Sequence, residues 1–111
     1  MTGMGKPKQG PDQGSEGVEV LEAEPQLKEP SKYAVVLLND DFTPMDFVVE
    51  VLTRFFQKSK EESERIMLQV HHQGRGVAGV YTYEIAETKV AMVNQFSQEH
   101  GHPLKTIMEE V

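Results

Sequence analysis

The chain has 111 residues, enough for one domain of ordinary size. Its formal charge of −7 argues against nucleic acid as a main partner, and the absence of cysteine excludes disulfides and thiolate metal sites. The longest aliphatic run, Ala34 to Leu38, is too short to span a membrane, and no apolar signal core follows Met1.

Residues 1–31 hold five of the nine glycines, four of the six prolines and no aromatic residue. So little apolar surface does not offset the entropy of ordering a chain, and the segment reads as a flexible acidic extension. A folded domain is expected over 32–111. Tyr33 to Leu38 reads as a buried strand, short, rich in β-branched residues and ended by Asn39, Asp40 and Asp41. Pro44 to Gln57 reads as a helix, with Thr43 as the cap, Pro44 in the first helical position and Asp46 where a capping-box acid would stand. Met45, Val48, Leu52, Phe55 and Phe56 recur along it at three- and four-residue steps.

Ser59 with Glu62 makes a capping box for a second helix, which carries Ile66, Met67 and Val70 on one side and stops at Gly74. Gly76 to Thr82 reads as a second strand, with Gly79 at a close approach. Thr82 then caps a third helix that presents Ile85, Ala86, Val90, Val93 and Phe96 to the sheet and ends near Gly101, before Pro103. Leu104 to Val111 reads as a last strand. The expected fold is α+β, a small three-stranded antiparallel sheet with three helices on one face, in the order β-α-α-β-α-β.

The junction from Leu37 to Met45 holds a strand end, an Asn-Asp-Asp cluster and a helix start within a few residues. Flanking elements fix such a loop, and two carboxylates beside an amide suit a cation or an amine. His71 stands four residues beyond Met67, on the same helical face. If the first two helices form a hairpin, Met45 and Val48 meet Met67 and Val70. His71 then sits at the rim of an apolar gap whose other rim carries Asn39 and Asp40. The default account is plainer: the methionines fill a core and the polar residues cap helices. Asp40, Asp41, His71 and His72 are acceptable zinc or iron ligands by type, but adjacent pairs seldom converge on one ion, and no HExxH or His-x-His spacing is present. No nucleophile elbow or P-loop occurs, and His71 has no nucleophile beside it, so neither catalysis nor a cofactor is expected. Acids at Glu84 and Glu87 suit the dipole of the third helix, although a docking surface there is open.

Three blocks, Asn39 to Val48, Met67 to Gly74 and Ala86 to Asn94, closely resemble the ClpS family of adaptors, which deliver N-degron substrates to the ClpA unfoldase of the ClpAP protease. The resemblance covers about Lys32 to Val111, with the blocks in order. It implies that Asn39, Asp40 and His71 hold the free α-amino group of a substrate. It also implies that Asp41, Thr43, Met45, Val48, Met67, Val70 and Leu104 line a pocket for the first side chain, preferring Phe, Tyr, Trp and Leu. Met45 corresponds to the residue that guards against β-branched side chains. Glu84 and Lys89 fall where the family docks the unfoldase, and the N-terminal arm takes a role in substrate handover by position alone. A monomer in the bacterial cytoplasm is implied, without nucleic acid, membrane or metal. The competing expectation is a non-catalytic interaction domain that docks a partner through an acidic surface and has no such pocket.

Overall fold

The computed structural model of the protein describes residues 30–111; the expected acidic extension, apart from its last residues, lies outside them. The described elements are β1 (Lys32–Leu38), α1 (Met45–Phe55), α2 (Lys60–Gln73), β2 (Arg75–Thr82), α3 (Tyr83–Glu99) and β3 (Lys105–Glu110). The strands form one antiparallel sheet in the order β2-β1-β3. The expected order β-α-α-β-α-β and three-stranded sheet are therefore observed.

β1 is the central strand, and Ala34 to Leu37 are all buried. Successive side chains point to opposite faces. Val35 and Leu37 join the core with Ala78 and residues of all three helices, whereas Ala34 and Val36, of the other parity, lie outside it. The helical layer thus covers one face of the sheet. Burial of each large core side chain contributes about 1.5–3 kcal/mol.

The expected stripe of the first helix is observed in part. Val48, Leu52 and Phe56 are in the core, joined by Phe47 and Val51, while Phe55 is half-buried against it and Met45 is 44% exposed. The helix begins at Met45, so Pro44 is the cap residue, with extended backbone and no side-chain cap bond. Thr43 does not cap it because its hydroxyl donates to Asp40 Oδ2 at 2.7 Å. Asp46 lies in the first turn, where its charge still suits the helix dipole.

Ser59 caps α2 as expected, its hydroxyl accepting the Glu62 amide at 3.1 Å. Gly74 ends the helix in the left-handed region at φ 89°, a conformation that glycine adopts without a Cβ penalty. Thr82 occupies the N-cap position of α3, but its side chain makes no cap bond.

A bulge between Val35 and Val36 breaks the β1–β2 register, so Val35 pairs with Gly79 and Val36 with Val77. Ala78 is the extra residue. As a result β2 buries Gly76 and Ala78 and leaves Val77 and Val80 exposed. Gly79 is a close approach, as expected: a Cβ there would collide with the Tyr81 ring. On α3, Ala86 and Val93 are buried and Val90 and Phe96 pack beside the core, but Ile85 turns outward at 50% exposure. Asn94 brackets the outer edge of β3, its Nδ2 donating to the Thr106 carbonyl at 3.1 Å and its Oδ1 accepting the Thr106 amide at 2.9 Å.

Candidate functional site

Three elements converge at one end of the sheet. The Asn39 amide, just past β1, donates to the Gly74 carbonyl at 2.9 Å and ties the strand end to the end of α2. This bond brings the Asn-Asp-Asp loop beside the last turn of α2, where His71 stands. The left-handed Gly74 that stops α2 is thus also the anchor of the loop.

The loop is shaped by one carboxylate. Asp40 Oδ1 accepts the amides of Phe42 and Thr43, both at 2.7 Å, and its Oδ2 accepts the Thr43 hydroxyl. Partial burial raises the Asp40 pKa. The Thr43 hydroxyl, the Phe42 and Thr43 amides and the positive charge of His102 outweigh it, and the net position is below the ordinary 3.8. The carboxylate is therefore ionised at neutral pH. A carboxylate oxygen accepts two hydrogen bonds, so Oδ1 is filled and Oδ2 retains one free lone pair.

Between the loop, α1 and α2 lies a cavity of about 370 Å³, bounded by Asn39, Asp40, Asp41, Phe42, Thr43, Pro44, Met45, Val48, Met67, Val70 and His71. Val48 and Val70 are buried in the core and form the fixed part of the apolar wall. Met45 and Met67 are more accessible. Asn39, Asp41 and His71 are exposed and Asp40 is half-buried. An anionic acceptor and two further polar groups thus edge an apolar recess, an arrangement able to hold a cation attached to a large apolar group. The interaction domain without a pocket, the competing expectation, did not foresee this recess.

Nine of the ten residues expected at the substrate site border the cavity: Asn39, Asp40, Asp41, Thr43, Met45, Val48, Met67, Val70 and His71. Leu104 does not. It lies just before β3, buried in the same core as Val48 and Val70, and borders a separate cavity with Asn94, Gln98 and His102. Two lining residues were not expected, Phe42 and Pro44. Phe42 is 80% exposed, and an apolar side chain inside an otherwise polar loop was the signal that could have found it. His72 lies 5.1 Å from the His71 ring by centroid but does not border the cavity. Among the described residues, no group of three or more His, Asp or Glu side chains could hold a metal ion.

The two residues expected at a docking face sit differently. Glu84 is exposed in the first turn of α3. The Lys89 ammonium instead donates to the Phe55 carbonyl at 2.7 Å and lies 5.6 and 5.5 Å from the Phe56 and Tyr81 ring centroids. It satisfies a carbonyl at the negative end of α1, and so has a structural role whatever else it meets.

Residues 28–107 match the family model described as ATP-dependent Clp protease adaptor protein ClpS. The chain belongs to the ClpS family. It is 55% identical over 103 residues to the ATP-dependent Clp protease adapter protein ClpS of Rhodospirillum centenum, covering 93% of this chain and 94% of that one. It is 54% identical over 108 residues to the ClpS of Caulobacter vibrioides strain NA1000, covering 96% and 99% of the two chains. Agrobacterium tumefaciens ClpS2, solved bound to L-phenylalaninamide, superposes with a TM-score of 0.73 at 38% identity, covering 75% of this chain and all of ClpS2. Family membership makes this chain a Clp protease adaptor and not a catalyst. No helix among the described residues is long and apolar enough to cross a membrane.

Proposed function

We propose that the cavity holds the first residue of a substrate protein, with its free α-amino group at Asn39, Asp40 and His71 and its side chain in the apolar recess. The observation that carries this reading is the free Oδ2 lone pair of an ionised Asp40 at the edge of a recess walled by Met45, Val48, Met67 and Val70. The solved relative supports it, since L-phenylalaninamide carries a free α-amino group and a large aromatic side chain on one small molecule.

An α-ammonium has a pKa near 7.7–8.0 and is mostly charged at neutral pH. It brings three donors, and Asp40 Oδ2, the Asn39 side-chain oxygen and one neutral His71 nitrogen are acceptors of the right kind. Each charge-assisted bond contributes roughly 1.5–3 kcal/mol. A buried Phe or Leu side chain adds about the same. Association and ordering costs oppose these sums, which leaves an affinity on the order of micromolar. Such a grip releases its cargo readily, as a delivery factor must. Large unbranched or aromatic first residues, Phe, Tyr, Trp and Leu, suit the recess. Met45 at its mouth discriminates against β-branched ones.

Delivery goes to the ClpA unfoldase, whose N-terminal domain docks on a monomer of this adaptor at the face around Glu84. Lys89 contributes there mainly by holding the end of α1 in place. In the cytoplasm, residues 32–111 act as the adaptor domain, and the segment before them serves handover. A reconstituted degradation assay tests this reading. A reporter beginning with Phe should be degraded by ClpAP only when the full chain is added, and a reporter beginning with Ser should be spared. Equal degradation with and without the chain would refute delivery.

A further inference from the structure

The walls of the recess differ in how far they can yield. Val48 and Val70 are locked in the core at 6% and 3% exposure, and three hydrogen bonds to Asp40 hold the loop. Met45 and Met67 are the exceptions. Both are unbranched thioethers with several rotatable bonds, neither is fully buried, and their side chains border not one space but two. The second space is a groove of about 510 Å³ between α1 and α2, whose remaining apolar lining is Val49 and Leu68. Leu68 is 45% exposed and Val49 half-buried, so the groove opens to solvent. The two methionines therefore form the partition between the recess and the groove.

We infer that the α1–α2 groove is the expansion space of the first-residue pocket, and that Val49 and Leu68 set the largest side chain the pocket accepts. The inference rests on the reading of the recess as that pocket. A Leu side chain fits with the methionines at rest. A bulkier indole displaces them outward, and the groove they already border gives them room to move without disturbing the core. Burial of their flexible chains against Val49 and Leu68 in the displaced position offsets part of the cost of moving them. Val49 and Leu68 touch no substrate in this scheme; they are positioning residues that act through the methionines.

The test is fluorescence anisotropy of the full chain with three peptides that differ only in a first residue of Leu, Phe or Trp. Filling the groove by Val49→Phe, or independently by Leu68→Trp, should lower the Trp-to-Leu affinity ratio on the order of tenfold, the discrimination that about one methylene of crowding produces in an apolar pocket. Emptying it by Leu68→Ala should raise the ratio. Thermal melting checks that each variant is folded, and the two filling variants guard against failure of either. A merely structural role would move all three affinities together. An unchanged ratio in a folded filling variant would overturn the inference while leaving the first-residue reading intact. Failure of the wild-type chain to bind any of the free-amine peptides would overturn both.

Discussion

Replacing Asp40 by asparagine separates the two duties of that side chain. Asp40→Ala removes the acceptor for the Phe42 and Thr43 amides and the Thr43 hydroxyl together, so the loop loses its shape along with its charge. Asp40→Asn keeps both amide bonds on its single oxygen, and its amide nitrogen can donate to the Thr43 hydroxyl oxygen. What disappears is the anionic lone pair of Oδ2, replaced by an N–H that repels an ammonium. One charge-assisted hydrogen bond is worth about 1.5–3 kcal/mol. Because Asn39 and Asp41 beside it are exposed, water screens the site and the lower half of that range applies. At 1.4 kcal/mol per tenfold, binding of a Phe-initiated peptide should weaken roughly 10- to 40-fold. Isothermal titration calorimetry reads this directly, alongside a melting temperature close to that of the parent. An affinity within about twofold of the parent in a folded Asp40→Asn chain would refute the role of the carboxylate, a margin set by the spread of such measurements.

Four further outcomes are expected. Met45→Ala should admit peptides that begin with Ile or Val, with a gain on the order of tenfold over the parent in anisotropy titrations; unchanged selectivity would contradict the steric role of Met45. Peptide binding should weaken about tenfold between pH 7 and pH 9 as the α-amino group loses its proton, whereas N-acetylation should abolish any such slope. On the acid side, Asp40 has a folded-state pKa below 3.8. Its contribution to stability is complete above that value and is lost as pH falls through the folded one, so acid unfolding followed by circular dichroism should be less steep below pH 4 in Asp40→Asn. Asn94→Ala removes both bonds to the Thr106 backbone and should lower stability by about 1–3 kcal/mol, read as the midpoint of urea unfolding; an unchanged midpoint would contradict the bracketing role.

The elements themselves were legible because their punctuation is local. Ser59 with Glu62, the left-handed Gly74 and the pair Gly101 and Pro103 act within a few residues of the ends they mark. The buried face of α1 was legible only in part: Val48, Leu52 and Phe56 are in the core as expected, but Phe47 and Val51 join them and Met45 does not. Met45, Phe47, Val48, Val49, Val51, Leu52, Phe55 and Phe56 share one broad apolar arc opposite Asp46, Glu50, Thr53 and Arg54, so periodicity does not choose which part of that arc meets the core. Thr43 read as a cap because capping is the usual fate of a threonine before a helix; only the folded loop shows Asp40 competing for its hydroxyl. The bulge at Ala78 was hidden for a similar reason, since a small residue in a short strand leaves alternation unmarked.

Nine of the ten expected substrate-site residues lie on one cavity because they belong to two local segments, the 39–48 loop and helix start and the 67–71 turn of α2. A single backbone bond from Asn39 to Gly74 joins these segments. Leu104 misses it because a residue isolated from both segments depends on packing across the whole domain. Lys89 is the same case: its partner Phe55 is 34 positions away, a contact that no local pattern announces.

The most direct measurement is an anisotropy titration of the full chain with two labelled peptides, identical except that one begins with free Phe and the other with N-acetyl-Phe. Saturable binding of the free form at about micromolar affinity, with the acetylated form at least tenfold weaker, is the predicted result, since acetylation removes the charge and two of the donors. Equal binding of both peptides, or of neither, would contradict the amine-and-side-chain pocket.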